Sequence, residues 1–419
     1  MFSTWGALTG LAIAIILIVR KATPAYALVF GALVGGLLGG GSLPETVKAM
    51  ISGSQSMMPS VLRILTSGVL AGALVKTGSA EKIAETIIRV LGVRFALVAV
   101  ALATLIVTAV GVFVDIAVIT VAPVALAVGR RAGIPVPALL LAMVGGGKAG
   151  NVISPNPNTI AAADAFGVDL TALMLANIVP ALCALIVTVL LSTLLAKKRL
   201  LGGKPPSAAD TSDGGAALPA LGAAVAGPVV VVALLALRPL CGFAVDPLVA
   251  LPAGGLIAIV SCGCWRQTAS FCEYGLSKVI GVSILLIGTG AVAGIVKGSG
   301  LNADMIALLK AFHLPAFALA PLSSVLLSGA TASTTAGVTI AAQTFSGTLV
   351  EAGVPALSAA AMLHAGGTIF DALPHGSFFH ATAGAVGMGV KDRLKLFPFG
   401  TLVGATSTIV SVLVYLFSR

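Results

Sequence analysis

The chain carries little charge. Asp, Glu, Lys and Arg make up 9% of its 419 residues, where a soluble globular domain carries about 25%, so there are too few polar side chains to cover a water-soluble globule. Cysteine is sparse as well. The five present (Cys183, Cys241, Cys262, Cys264 and Cys272) are an odd number lying mostly in or beside apolar segments, which excludes a disulfide framework. Cys262-Gly263-Cys264 with Cys272 has no histidine nearby and reads as small apolar residues rather than a metal site. No phosphate-binding loop is present, because Gly147-Lys148 lacks the upstream glycine at the required spacing, and no large soluble domain accompanies it; coupling to ATP within this chain is disfavoured. Nor is there a convincing cluster of metal ligands or a selectivity-filter run. No cofactor and no metal are expected. The net charge of +10 comes from basic residues placed singly or in short clusters between apolar runs, a pattern that indicates loop positioning in a membrane protein and no nucleic-acid partner.

What is abundant is apolar surface, at 58% hydrophobic residues. Runs long enough for bilayer spans of roughly 20 residues recur along the whole length, so the expected fold class is an all-α polytopic membrane protein embedded in a lipid bilayer. Spans are expected near 3–19, 24–40, 57–75, 95–111, 112–129, 135–149 and 171–196, then near 217–237, 244–262, 276–297, 314–329, 331–349, 355–370 and 396–417. The first run is followed by Arg20-Lys21 rather than preceded by basic residues, which marks it as a first span and not a removed signal peptide. Between the two sets lies a polar stretch rich in Gly, Ser, Pro and Asp, so the organisation reads as a first transmembrane repeat over 1–196, a cytoplasmic linker over 197–216 and a second repeat over 217–419.

The two halves match. Pro135 to Gly167 lies over Val354 to Val386 at an offset of 219, pairing Met143 with Met362, Gly147 with Gly366, Pro155 with Pro374 and Ala162 with Ala381. Upstream, an offset of 222 pairs Gly68, Gly72 and Gly78 with Gly290, Gly294 and Gly300, and an offset of 223 pairs Pro24 and Gly31 with Pro247 and Gly254. Seven crossings or part-crossings per half is an odd number, which inverts the second copy relative to the first. With the N-terminus outside, 16 of the 24 Lys and Arg residues fall in cytoplasmic loops against 6 outside, with Lys76 and Lys148 left embedded or at a border. That bias places a multi-pass protein in the cell inner membrane with its linker in the cytoplasm. Re-entrant hairpins in place of some crossings would preserve the symmetry.

Polar groups at membrane depth are costly unless they face protein or a water-filled cavity. Four segments carry them. Gly145 to Thr159 holds four glycines and two prolines and is expected to break its helix, exposing Lys148, Asn151, Ser154, Asn156, Asn158 and Thr159. Ser154 or Asn156 would cap a helix beginning near Asn158, leaving N–H groups for an anion; an ordinary exposed loop is the plainer reading. Its repeat mate, His364 to Ser377, places Asp371 and His375 one turn apart if helical, and His364, Asp371 and His375 are candidate proton-coupling groups, against a purely structural Asp–His bond. The third segment, Ser328 to Thr335, and its mate, Val110 to Asp115, lie at span ends. Ser333 and Thr334 there are either ligands or helix–helix glue. Asp115, a lone carboxylate amid Val, Phe and Ile, has Lys148 as one possible partner, and Asp164 and Arg63 are placed near an interface.

At these motifs the chain resembles the gluconate permease family, within the ion transporter superfamily of organic-anion carriers. The resemblance rests on Gly111 to Asp115, on Ser154-Pro155-Asn156-Pro157 followed by Ala161-Ala162-Ala163, and on Asp371-Ala372-Leu373-Pro374-His375-Gly376. That family's first motif more often reads Pro-Pro-His-Pro, and an Asn often follows its Pro-His where Gly376 stands here. The resemblance implies a proton-coupled importer of small hydroxylated carboxylates, two inverted halves and a homodimeric assembly.

Both lines lead to one mechanism: alternating access, with a small organic anion held between the two broken motifs. Asn151, Ser154, Asn156, Asn158, Thr159, Ser333, Thr334 and Ser377 would offer neutral hydrogen bonds, Lys148 and helix N-termini the positive potential, and Asp115, His364, Asp371 or His375 the site of the coupling proton. Rival readings are a sodium-coupled carboxylate carrier, a cation/proton antiporter, a channel, and a membrane-embedded enzyme; the last lacks a nucleophile elbow or zinc-type spacing.

Overall fold

In the computed structural model the described residues are 2–198, 201, 205–206, 218–311 and 315–418. They form helices, with no strand among them beyond a single bridge between Phe2 and Ser299. In chain order the helices are α1 Thr4–Val19, α2 Pro24–Leu38, α3 Leu43–Gln55, α4 Met58–Lys76, α5 Ser79–Leu91, α6 Ala96–Ala109, α7 Val114–Ala132, α8 Val136–Asn151, α9 Pro157–Phe166, α10 Leu170–Ala176 and α11 Ile178–Lys198. After the linker come α12 Leu221–Cys241, α13 Pro247–Ser261, α14 Thr268–Lys297, α15 Leu301–Ala311, α16 Leu319–Thr331, α17 Thr334–Glu351, α18 Ala356–Gly366, α19 Ser377–Gly384, α20 Val390–Lys395 and α21 Phe397–Phe417. Of the linker expected over 197–216, Lys197 and Lys198 close α11, and most of the remainder lies outside the described residues.

These helices fold into two compact units. The first comprises Met1–Leu65, Pro157–Ala176 and Val279–Asp371; the second comprises Thr66–Asn156, Asn177–Lys278 and Ala372–Arg419. Each unit therefore draws on both sequence halves, and the chain passes from one to the other inside both motifs, after Asn156 and after Asp371.

Glycine sets the helix spacing in both. Within the first unit, α1 lies against α2 so closely that a Cβ on Gly10 would sit 2.5 Å from Gly31 O, and one on Gly31 would sit 2.5 Å from Gly10 O. A Cβ on Gly53 of α3 would meet Gly290 O at 2.1 Å, beside Gly294. Helices α16 and α17 pair as a hairpin across the two residues Ala332 and Ser333, α18 packs on both, and α9 packs on α17 and α18. In the second unit α8 is the centre. Gly146 and Gly150 of α8 face the backbone of α6, where a Cβ would lie 2.1 Å from Ala101 O and 2.4 Å from Leu105 O respectively. Leu105, Ala149, Val152, Ala181, Ala184 and Val403 close the core where α6, α8, α11 and α21 meet. Gly275 of α14 lies on Gly68 and Gly72 of α4, and α19 packs on α7 and α8.

Two expectations are corrected. The glycine run was expected to break its helix, yet α8 is helical through Asn151 and the break is confined to 152–156. A mid-helix glycine costs about 1 kcal/mol relative to alanine, but here it permits backbone-to-backbone packing that alanine would forbid, and small residues at such crossings are the usual means of helix association where lipid supplies no hydrophobic drive. Among the described residues five stretches are long and apolar enough to cross a bilayer, up to seven if the bent pairs Ser79–Leu91 with Val93–Ala109 and Pro157–Phe166 with Leu170–Ala176 are each one span. Several expected spans are instead short apolar helices of 10–17 residues, among them α1, α2, α13 and α18. A helix near Asn158 was expected and is α9, and the span expected over 171–196 is divided between α10 and α11, whereas α3, α5, α15, α19 and α20 were not among the expected elements, because shorter or more amphipathic segments do not stand out in a hydropathy window matched to full spans.

Replacing Gly146 by Val is expected to lower the stability of the detergent-solubilised protein by 1–3 kcal/mol or more, or to abolish its folded yield. Gly222→Ala, where nothing lies within 4 Å of the new Cβ, should leave the thermal midpoint unchanged. Equal midpoints for both variants would refute the glycine-spacing argument.

Candidate functional site

Each break leaves a polar interior. At the end of α8, the Asn156 side-chain amide donates to Asn151 O at 2.8 Å and to Asn151 Oδ1 at 2.7 Å, tying the non-helical residues 152–156 back onto the helix they leave. Proline at 157 begins α9 at the position where its missing N–H costs nothing. Asn151, Ser154 and Asn156 in the second unit, and Asn158 and Thr159 in the first, are all 5% exposed or less. Neutral amides and hydroxyls so deeply buried suit a site that recognises hydroxyl and carboxylate groups by hydrogen bonds.

The break after α18 contains Pro374. Residues 367–376 are not helical, so Asp371 and His375 are not one helical turn apart. Thr334 Oγ1, at the first position of α17, donates to Asp371 Oδ2 at 2.8 Å. A buried carboxylate is thereby joined to the tip of the α16–α17 hairpin within the first unit. Ser333 caps the same helix, its side chain accepting from the Ala336 N–H at 3.3 Å. Ala332, just before it, is buried and has φ +47, a left-handed conformation costing roughly 1–2 kcal/mol for a residue with a Cβ. The turn before α7 uses Gly111 at φ +110, where no such cost arises. His364, on α18, is fully buried, and neither ring nitrogen has a hydrogen-bond partner among the described residues. His375 and Ser377 are exposed.

The charged groups are disposed separately. Lys148 is 3% exposed and donates from Nζ to Gly400 O on α21 at 3.3 Å. Asp115, proposed from sequence as a partner for Lys148, sits in the first turn of α7, where Oδ1 accepts from the Ile116 N–H at 2.9 Å. That carboxylate satisfies the positive end of its own helix. The N-termini of α9, α17 and α19 have no acidic residue in their first turns.

Sequence reasoning placed Arg63 and Asp164 near an interface without pairing them, and it missed Arg393 and His380. Arg63 of α4 pairs with Asp164 of α9, and Ser60 donates to the same carboxylate. The two partners lie 101 residues apart, so no local spacing announces them. Arg393 of α20 is 3% exposed, stacks over Phe379 at 5.4 Å and donates to Thr382 Oγ1 at 3.3 Å. The His380 ring nitrogen Nε2 lies 2.7 Å from Pro374 O. Among the described residues no group of three or more His, Cys, Asp and Glu side chains could hold a metal ion.

Comparison with known proteins places this arrangement. An uncharacterized transporter of Haemophilus influenzae is 53% identical over 413 residues, covering 99% of this chain and 98% of the relative. The high-affinity gluconate transporter of Escherichia coli is 29% identical over 152 residues, which is 36% of this chain and 34% of that protein. Among solved structures, the YdaH transporter of Alcanivorax borkumensis shares the fold at a TM-score of 0.69 and 17% identity, covering 89% of this chain and 88% of that one. The family model described as GntP family permease matches residues 4–418, and with a near full-length relative beside it, this transporter-type helical chain belongs to the GntP permease family.

Proposed function

We propose that the protein imports a small hydroxylated carboxylate of the gluconate type across the inner membrane by proton symport, through alternating access. The observation that carries this reading is the pair of corresponding helix breaks, lined by buried neutral amides, hydroxyls and one buried carboxylate, from which α9 and α19 begin, together with the α16–α17 turn from which α17 begins, all three helices with first turns free of acid. A helix N-terminus free of its own carboxylate attracts an anion, and broken helices of this kind form the substrate sites of many secondary carriers. The partial similarity to a gluconate transporter supports the substrate class. In this reading Asn151, Ser154, Asn156, Asn158, Thr159, Ser333, Thr334 and Ser377 bind hydroxyl and carboxylate oxygens, and Lys148 contributes positive potential. Asp371 and His364, buried, and His375 and Asp115 carry or relay the coupling proton.

The inverted repeat over 1–196 and 217–419, and a homodimeric assembly, belong to the same proposal. Reciprocal glycine contacts support the repeat. Gly53 packs on Gly290 and Gly294, while Gly275 packs on Gly68 and Gly72. Gly53 and Gly275 are 222 residues apart, as are Gly68 and Gly290, and Gly72 and Gly294. The shift that carries one glycine onto the other thus also exchanges their partners, which is the signature of a two-fold relation. The swap of α9 onto α17 and α18, and of α19 onto α7 and α8, follows the same rule.

Proteoliposomes under an inward proton gradient are expected to accumulate a labelled sugar acid, tested with gluconate and glycerate, and to lose that accumulation with a protonophore. Accumulation only under a sodium gradient would replace proton by sodium coupling, a reading that the uncharged Asn and Ser groups at 151–156 would also suit. Asp371→Asn and His375→Ala are each expected to abolish proton-driven accumulation, and wild-type accumulation by both would remove them from the coupling role. Asn156→Ala is expected to raise KM about tenfold, the effect of losing one or two buried hydrogen bonds at about 1 kcal/mol each, while an unchanged KM would exclude the 152–156 break from the substrate site.

A further inference from the structure

Beyond the broken segments, the second unit contains a cavity of about 360 Å³ lined by Glu85, Ile88, Arg89 and Gly92 of the α5 end, by Val93, and by Val124, Ala127, Val128 and Arg131 of α7. The residues from α5 and its cap fall at spacings of three, four and seven, and so do those from α7, so each helix presents one continuous stripe to the groove. The lining combines apolar Ile88, Val93, Val124, Ala127 and Val128 with the charged Glu85, Arg89 and Arg131. Arg89 pairs with Glu85, which also receives Lys82. Arg131, exposed in the last turn of α7, has no hydrogen-bond or ion-pair partner among the described residues. Arg94 and Arg130 stand nearby in the chain, so Lys82, Arg89, Arg94, Arg130 and Arg131 outweigh Glu81 and Glu85 in this region.

The groove also lies at a definite level in a membrane protein. Helix α5 buries Ile83, Ala84 and Ile88 along one side and turns by 105° into the apolar segment Val93–Ala109. An amphipathic helix bent nearly at right angles to an apolar one lies in the interface plane while its neighbour enters the bilayer. At the bend, Val90 (79% exposed) and Phe95 (51%) project beside Arg89 and Arg94, and the Arg94 guanidinium stacks on Phe95 at 5.7 Å. Apolar and basic side chains alternate at this edge, matching an amphiphile with an anionic head and an apolar tail.

We propose that this groove between α5 and α7 binds the headgroup of an anionic phospholipid, with Arg131 and Arg89 on the phosphate and the stripe Ile88, Val124, Ala127 and Val128 against its glycerol and first methylenes. Basic pockets between helices at the cytoplasmic face are suited to such headgroups, and the charge bias of the loops puts Arg89, Arg94, Arg130 and Arg131 on that side. The site is independent of substrate and coupling ion.

The test is lipid binding by the purified full chain in detergent, read by native mass spectrometry and by thermal unfolding with added phosphatidylglycerol, phosphatidylcholine or inorganic phosphate. Phosphatidylglycerol is expected to remain bound and to raise the midpoint, and phosphatidylcholine and phosphate are not. Arg89→Ala with Arg131→Ala should weaken phosphatidylglycerol binding about tenfold or more, while Arg20→Ala with Lys48→Ala, two exposed basic residues in the other unit, should not. Ala127→Trp, which fills the groove and leaves its charges, should abolish the bound lipid, so the proposal does not depend on one variant folding. Wild-type retention by both the double arginine variant and Ala127→Trp would overturn it. An equal shift with inorganic phosphate would replace the lipid by a free anion, and equal binding of phosphatidylcholine would remove the role of the arginines.

Discussion

Helices that can offer neither charge nor large aromatic surfaces to one another must be held by close approach, and in this protein the approach is set by glycine. In water, apolar side chains drive helices together; in a bilayer the surrounding tails are as apolar as the side chains, and dispersion at short range has to do that work. Gly10 on Gly31, Gly146 on Ala101, Gly150 on Leu105 and Gly275 on Gly68 bring main chain against main chain. Those contacts position the broken helices. Gly146 and Gly150 hold α8 against α6 in the turns just before the break at 152, and a Cβ on Gly366 would sit 2.7 Å from Pro321 O, which fixes the end of α18 on α16 just before the break at 367.

A helix interrupted at membrane depth exposes carbonyls and N–H groups that lipid cannot satisfy. The chain meets this by folding the breaks onto itself: Asn156 bonds back to Asn151, Thr334 reaches Asp371, and Ser333 caps α17. Among the described residues the breaks hold buried neutral donors and acceptors in both units and, in the first unit, the Asp371 carboxylate and the His364 imidazole. In the proposed function such groups would bind an oxygen-rich ligand through neutral hydrogen bonds. Lys148 and the helix N-termini add positive potential close in sequence to both breaks.

The two breaks are not copies. Lys148 corresponds to Gly367 and Asp371 to Val152 at the offset of 219, so the first break carries the cation and the second the carboxylate. The turns before α7 and α17 differ in the same way: Gly111 adopts a positive φ without cost, whereas Ala332 adopts one against its own preference. Strain of that kind persists where surrounding structure over-determines the backbone, and it clusters at binding sites and switch regions. The two segments thus differ in their chemistry, one holding Lys148 and the other Asp371.

From sequence alone, the low charge and repeated apolar runs determined an all-helical membrane protein, and glycines and prolines beside Asn, Ser, Asp and His marked where its helices lose their regular course. Those features are local, because hydropathy and backbone propensity act over a turn or a span. The residues Pro155 and Pro374 lie inside the breaks they announced. The glycine run at 145–150 misled, since whether glycine ends a helix or lets it pack is decided by what stands opposite, and Ala101 and Leu105 are more than 40 residues away in the chain. Only the tertiary structure could separate the residues of one motif into two compact units, join Thr334 to Asp371 and Arg63 to Asp164, and leave His364 without a hydrogen-bond partner among the described residues. Each of those is a contact between segments distant in sequence, and a linear pattern records which groups are costly to bury but not which neighbour relieves the cost.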